Sequence, residues 1–193
     1  LESLRGEFRG NEKTDRGTAF GKILEQPDRY DQGGLYVCQP RERGRQTKRY
    51  AFTADTMREP LALMDHEYGV FEAKMTKVYG RCNVVAKADM LVGLHLHETK
   101  TTEDAFEFFK YADSYQWRFM AEIFEASMIT YHIFRLEEHG TLTGLDGQDV
   151  TEVSVRGIES FNLFPYAAMH ADCRALVDEF VARGGALRPV AKD

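Results

Sequence analysis

The chain has 193 residues, 43% of them apolar and 29% charged, which suits one folded domain with a single core and argues against wholesale disorder. Its formal charge of −6 excludes a basic protein that coats nucleic acid, but leaves room for a locally basic surface. No stretch of about 18 apolar residues is present, so no membrane span is expected. Leu1 opens the chain without an initiator Met or a signal-peptide core, and the sequence reads as a piece of a longer protein. Cys38, Cys82 and Cys173 are odd in number and widely spaced. They form no disulfide or zinc pattern and suit a reducing, cytoplasmic setting.

In chain order, residues 1–13 are polar and read as a flexible segment ahead of one domain spanning 14–193. Arg16–Glu25 reads as a helix, with Ala19, Phe20, Ile23 and Leu24 at helical spacing and Pro27 as its stop. Asp28–Thr53 reads as loop. It contains Arg41–Arg49, with five basic residues in nine, as either a solvated loop or a contact for DNA phosphates. A second helix is placed at 55–67, with Pro60 as an alternative first residue. Strands follow at Val70–Val78, Asn83–Leu91 and Leu94–Lys100. Thr102 to about Met128 reads as helical, capped by Thr102 and broken at Asp113-Ser114. A strand pair, Met128–Leu136 and Val150–Ile158, is joined by a Gly-rich loop. The last helix, Pro165–Arg183, carries Met169, Cys173, Leu176, Val177 and Phe180 on one stripe and ends at Gly184. This order predicts an α/β (α+β) fold with a central mixed β-sheet flanked by helices.

The chemistry concentrates in Asn83–Lys100. With Gly93-Leu94 as a two-residue turn, Val92 faces His95, Leu91 faces Leu96 and Asp89 faces Glu98. Asp89, Leu91, Leu96, Glu98 and Lys100 then share one side of the sheet. Two carboxylates across a ladder repel, and beside leucines they lose solvation. A divalent cation relieves both costs, and hard cations such as Mg²⁺ take one or two carboxylates plus waters and substrate phosphate. Lys100 would hold or acidify a water, or balance phosphate charge. An ordinary solvated Glu–Lys pair at a strand end is the plainer reading of the same residues.

Several other groups are weaker. His95 and His97 lie on the opposite face, as a metal pair or as covered strand residues. Asp65-His66-Glu67, in a turn region, reads as a metal-like cluster or, better, as a solvated helix end. Glu72-Ala-Lys74 precedes Asp89 and reads as an outer strand. Lys74, Lys77, Arg81 and Lys87, with the 41–49 run, are the candidate positive surface. The aromatics of residues 106–124 read as core, with Trp117 the one to test for base stacking.

Asp89, then Glu98-Thr-Lys100-Thr-Thr102, then Gln116 in the next helix resembles the PD-(D/E)XK nuclease superfamily, in its RecB-like and RecE-like phage-type exonuclease branch. Thr101-Thr-Glu-Asp-Ala105 with Tyr115-Gln116-Trp117, and upstream Gly17-Thr-Ala-Phe-Gly-Lys-Ile-Leu-Glu-Gln-Pro27, are similar to that branch. The resemblance runs from about Gly17 to Phe134. It implies a restriction-endonuclease-like core and a Mg²⁺- or Mn²⁺-dependent deoxyribonuclease. Asp89 and Glu98 would be the metal ligands, with the Thr99 carbonyl as a third. Lys100 would orient the attacking water, Glu25 would be an accessory acidic group near the metal, and Gln116 would support the site or touch DNA.

The implied activity is exonucleolytic, on double-stranded DNA ends in phage-type recombination or repair. Implied with it are a homo-oligomer, a single-strand annealing partner and a bacterial or phage-infected cytoplasm. Two positions depart from the pattern. Gly21 stands where the family has a histidine, and Met120 where it has a tyrosine. They motivate one alternative, a nuclease-fold DNA-binding or assembly module with weak or no cleavage; among enzymes the alternative is a repair- or restriction-type endonuclease.

Overall fold

A computed structural model describes residues 11–40, 47–144 and 146–183. The elements in order are α1 (Glu12–Glu25), α2 (Pro27–Tyr30), β1 (Leu35–Cys38), β2 (Tyr50–Thr53), α3 (Ala54–Ala62), β3 (Val70–Tyr79), β4 (Cys82–Val92), β5 (His95–Thr102), α4 (Phe108–Ala112), α5 (Tyr115–Phe124), β6 (Met128–Thr143), β7 (Asp149–Leu163) and α6 (Met169–Ala182). The strands form one sheet in the order β1-β2-β7-β6-β5-β4-β3. It is mixed: β2 runs parallel to β7, while β1–β2, β3–β4 and β4–β5 are antiparallel. The expected α+β class with a central mixed sheet and flanking helices is what the chain forms.

Expectation and structure differ locally. Of the segment expected to be flexible, residues 1–10 lie outside the described residues, but Glu12 and Lys13 are already helical. Asn11 caps α1 by accepting the Thr14 N–H at 3.0 Å. The stop before Pro27 holds, and Pro27 itself opens the short α2. Residues 28–53 are not all loop. Leu35–Cys38 and Tyr50–Thr53 pair as β1 and β2, each only four residues long and without alternation, so pairing partners rather than pattern make them strands.

The second helix starts well before Pro60, because Thr53 caps it by accepting the Thr56 N–H at 3.2 Å. It ends at Ala62, not at residue 67. Thr102 does not cap a helix; it closes β5, and its hydroxyl accepts the Asp104 N–H in a turn at 3.1 Å. Helix resumes only at Phe108, and the break at 113–114 stands. β6 and β7 run past the expected ends, around a turn where the Gly144 N–H donates to the Gln148 carbonyl at 2.8 Å. α6 begins at Met169 rather than Pro165, and it buries Met169, Cys173 and Val177 but leaves Phe180 exposed. The Gly184 stop lies outside the described residues.

The chain divides into two compact units. One comprises residues up to His66, Thr99–Phe106 and Ile133–Glu159. Its core centres on Phe20 of α1, whose ring lies 5.5 Å from that of Phe52 and 4.9 Å from that of Phe134. α1 reaches the end of β5 closely: a Cβ added at Gly17 would stand 2.6 Å from Thr101 Oγ1. The other comprises Glu67–Glu98, Glu107–His132 and the chain from Ser160 onward. It buries Ala86, Ala88 and Met90 of β4, Leu96 of β5, and Met120, Ile123 and Phe124 of α5. All three cysteines are buried free thiols. No helix among the described residues is long and apolar enough to cross a membrane.

Candidate active site

The β4–β5 hairpin turns at Gly93, whose φ of +60° suits glycine at the first turn position. Its register is Val92 opposite His95, Leu91 opposite Leu96 and Met90 opposite His97. The next step along that register brings Asp89 to Glu98, and there a side chain takes over from the ladder. The Asp89 N–H donates to Glu98 Oε1 at 3.1 Å. Gln116 of α5 donates from Nε2 to Glu98 Oε2 at 3.4 Å. Glu98 is 1% exposed, so its carboxylate has exchanged water for these donors. Asp89 is half-buried beside it.

The backbone on the other side of Asp89 is distorted. Phe71 pairs with Met90 and Ala73 with Ala88, and between them Glu72 takes a φ of +55°. A non-glycine residue there carries strain of order 1–3 kcal/mol, of a kind that clusters at ligand sites. The Glu72 carboxylate pairs with Lys87. β3 lies at the edge of the sheet, as expected for Glu72-Ala-Lys74.

Side-chain pairs fix the two faces of this unit. His95 Nε2 meets Thr130 Oγ1 at 2.7 Å, and His97 Nδ1 meets His132 Nε2 at 3.1 Å. Thr130 donates to Asn162 Oδ1 at 2.7 Å, and His132 Nδ1 meets Ser160 Oγ at 2.8 Å. Since alternate residues of a strand point to opposite faces, Tyr131 and Phe161 project to the Glu98 side. Burial first, then the negative charges of Glu98 and Asp89, push the Tyr131 hydroxyl far above its ordinary pKa. Tyr131 was invisible in the sequence, because its parity depends on the pairing of β6 with β5.

The two readings of His95 and His97 resolve toward packing. Their rings lie 4.0 Å apart, and burial lowers the pKa of His95. Burial, and then the charge of His95, lowers His132 to about 4. Among the described residues no three His, Cys, Asp or Glu side chains converge as a metal site, which covers Asp65-His66-Glu67 as well. Trp117 is buried and its Nε1 donates to the Ala112 carbonyl at 2.8 Å, so it is core. Met120 is also core. Lys77 pairs with Glu122 at 2.6 Å.

Lys100 follows Glu98 by two positions on β5, at the same pleat parity, with Thr99 between them. Both belong to the first unit, as does Glu25. Glu25 accepts from Gln26 Nε2 at 3.0 Å and lines a cavity of about 300 Å³ with Lys22, Arg29, Tyr30 and Gln39. A Cβ added at Gly21 would meet nothing within 4 Å. Of the basic run, residues 41–46 lie outside the described residues. Lys48 pairs with Glu12 and Arg49 with Asp146, each at 2.8 Å. The same unit holds a charged cleft of about 920 Å³, where buried Arg16 is held by Glu103 and Glu138.

In chemical terms the second unit offers two carboxylates on neighbouring strands, one of them buried. Carboxylate oxygens are the ligands a hard divalent cation that keeps several waters prefers. Two carboxylates with waters could hold Mg²⁺ or Mn²⁺ here, and among the described residues no third His, Cys, Asp or Glu joins them.

No family model matches the chain, and no curated protein matches it. Among solved structures it is similar to SSO0001, with 12% identity and a TM-score of 0.45, over 69% of this chain and 58% of that one. It thus spans little more than half the length of that protein. It is also similar to a "putative exonuclease" from Eubacterium rectale, with 11% identity and a TM-score of 0.44, over 95% of this chain and 70% of that one. At these TM-scores neither likeness bears on what this chain does.

Proposed function

We propose that this chain is a divalent-cation-dependent deoxyribonuclease acting at the ends of double-stranded DNA. One observation carries the reading: a fully buried Glu98 carboxylate is held beside Asp89 of the next strand by a main-chain N–H and by Gln116. Two carboxylates brought together on neighbouring strands offer the hard oxygen ligands that a divalent cation takes. Asp89 and Glu98 would hold Mg²⁺ or Mn²⁺, with the Thr99 carbonyl as a further ligand. When bound, such an ion supplies Lewis-acid polarisation of a phosphate and a more acidic water. Gln116 would fix the Glu98 rotamer. Lys100, same-faced with Glu98 on β5, would orient the attacking water through Nζ and donate to the phosphate oxygen that gains charge. Recognition through the backbone would give little sequence preference. A ring-shaped homo-oligomer and a single-strand annealing partner belong to the same proposal.

The test is cleavage of linear duplex DNA in Mg²⁺ or Mn²⁺ by the native chain and by Lys100→Ala, Asp89→Asn and Glu98→Gln. Losses of about 100-fold or more are expected in each variant. Native stability should also rise with Mn²⁺, by about 2.7 kcal/mol at a hundredfold excess over Kd, and this gain should vanish in Asp89→Asn. Equal cleavage by all four proteins overturns the reading. Cleavage by none, with DNA binding retained, would leave the non-cleaving DNA-binding module that Gly21 favours. Equal cleavage of closed circles and linear DNA by the native chain would replace exonuclease with endonuclease.

A further inference from the structure

The face that carries Glu98 continues as a row of aromatic rings within the same unit. Tyr131 of β6 and Phe161 of β7 stack 5.3 Å apart with their planes 4° from parallel. Phe161 meets Phe108 of α4 edge-on at 5.0 Å, and Phe108 meets Phe109 at 5.4 Å. The row starts at buried Tyr131, on the strand beside Glu98, and ends at rings that are 39% exposed at Phe108 and 72% at Phe109. Phe109 stands mostly in solvent, and core packing does not account for it. A ring so exposed at the end of a continuous aromatic path leading away from a carboxylate pair is placed to receive something flat.

The neighbouring charges say what kind of ligand. Lys110 follows Phe109 directly, with its Nζ 5.9 Å from the Tyr111 ring. On α5 the Arg118 guanidinium lies 4.8 Å over Tyr115, itself exposed. An exposed ring with a lysine next to it in the chain matches a polymer of flat bases on an anionic backbone. Glu107 and Asp113 flank α4, so rings rather than charge must supply most of the affinity.

We propose that Phe108 and Phe109 form a stacking platform for unpaired nucleotides, which delivers a single DNA strand toward Asp89 and Glu98. The proposal deepens the nuclease reading and rests on it for its direction. Bases inside a duplex have no free face to offer Phe109, so the strand presented must be frayed or single.

Binding measured in EDTA isolates this surface from catalysis. Fluorescence anisotropy would compare a labelled twelve-nucleotide oligo-dT with a duplex of the same length closed by loops at both ends. The native chain should prefer the single strand. Phe109→Ala should weaken oligonucleotide binding about tenfold, within the range expected for one stacked base. Phe109→Tyr, which keeps the ring, should bind as the native chain does. Leu142→Ala, an exposed apolar residue on the far part of β6, should change nothing.

Native-like oligonucleotide binding by Phe109→Ala overturns the platform, as does an equal loss on single strand and closed duplex. A native chain that does not bind the oligonucleotide overturns it too, and leaves the rings as a contact for protein. The nuclease reading fails or stands separately. If Lys100→Ala and Asp89→Asn cleave like the native chain while Phe109→Ala weakens binding, the hydrolase is lost and the platform remains. If cleavage needs Lys100 but Phe109→Ala binds normally, the platform alone is lost.

Discussion

A carboxylate as buried as that of Glu98 must replace its lost water with donors, and two of them are plain. The Asp89 N–H serves one oxygen and the Gln116 amide the other, more distantly at 3.4 Å. A long hydrogen bond from a neutral amide positions a ligand more than it stabilises charge. Gln116→Ala should therefore raise the Mn²⁺ concentration needed for half-maximal cleavage about tenfold, with a smaller change in the saturated rate. A titration of cleavage against Mn²⁺ checks this, and an unchanged midpoint would make Gln116 a bystander.

At this scale the sequence was informative where residues are counted from a fixed point. Gly93 fixes the turn, and from it the pairing of 91 with 96 follows by simple count. Gln116 could not be reached that way, because nothing local links α5 to β5. The family resemblance supplied it. Tyr131 had no such signal and waited for the structure.

Among elements, α1 shows how one residue type can serve two ends. Gly17 and Gly21 lie four apart on one helix, and glycine costs helix stability at either position. At Gly17 the cost has a reason, since a side chain would collide with Thr101 at the end of β5. At Gly21 the space beyond is open. Gly21→Ala should accordingly stabilise the chain by about 0.5–1 kcal/mol. Gly17→Ala should destabilise it by about 1 kcal/mol or more, a loss that Thr101→Ala relieves. Urea denaturation of the two single variants and the double variant gives all three values. Equal midpoints for the two glycine variants would refute the packing argument.

The elements misjudged from sequence failed for a related reason. β1 and β2 are too short to show a period, and exist because each finds a partner. Thr102 has the right side chain for a cap, but its backbone is still paired as strand, so it caps a turn instead.

Over the fold as a whole, the largest unforeseen feature is the polar row opposite the carboxylates. It is built by His95 and His97, then Thr130 and His132, then Ser160 and Asn162, from three strands distant in sequence. His132, with a folded pKa near 4 against an ordinary 6.5, stays neutral while the unfolded chain takes up a proton. The unfolded state therefore binds more protons between those values, and stability falls as pH drops from about 6.5 to 4. The contribution is about 3 kcal/mol at most, and it is constant outside that window. Melting temperatures of the native chain and of His132→Asn should draw together as pH falls from 7 to 4. A constant gap would show that His132 titrates normally in the fold.

The sequence by itself determined the class of fold and the β4–β5 hairpin with its register from 90–97 to 92–95. Each rests on periodicity or on short-range register, which neighbouring residues fix through backbone geometry. Only the tertiary structure decided which side chain steadies Glu98, that Tyr131 and Phe161 share its face, and that Phe109 rather than Trp117 meets solvent. Those outcomes depend on which strands lie side by side and which helix covers them. Contacts between residues far apart in the chain decide that, and local pattern carries no record of it.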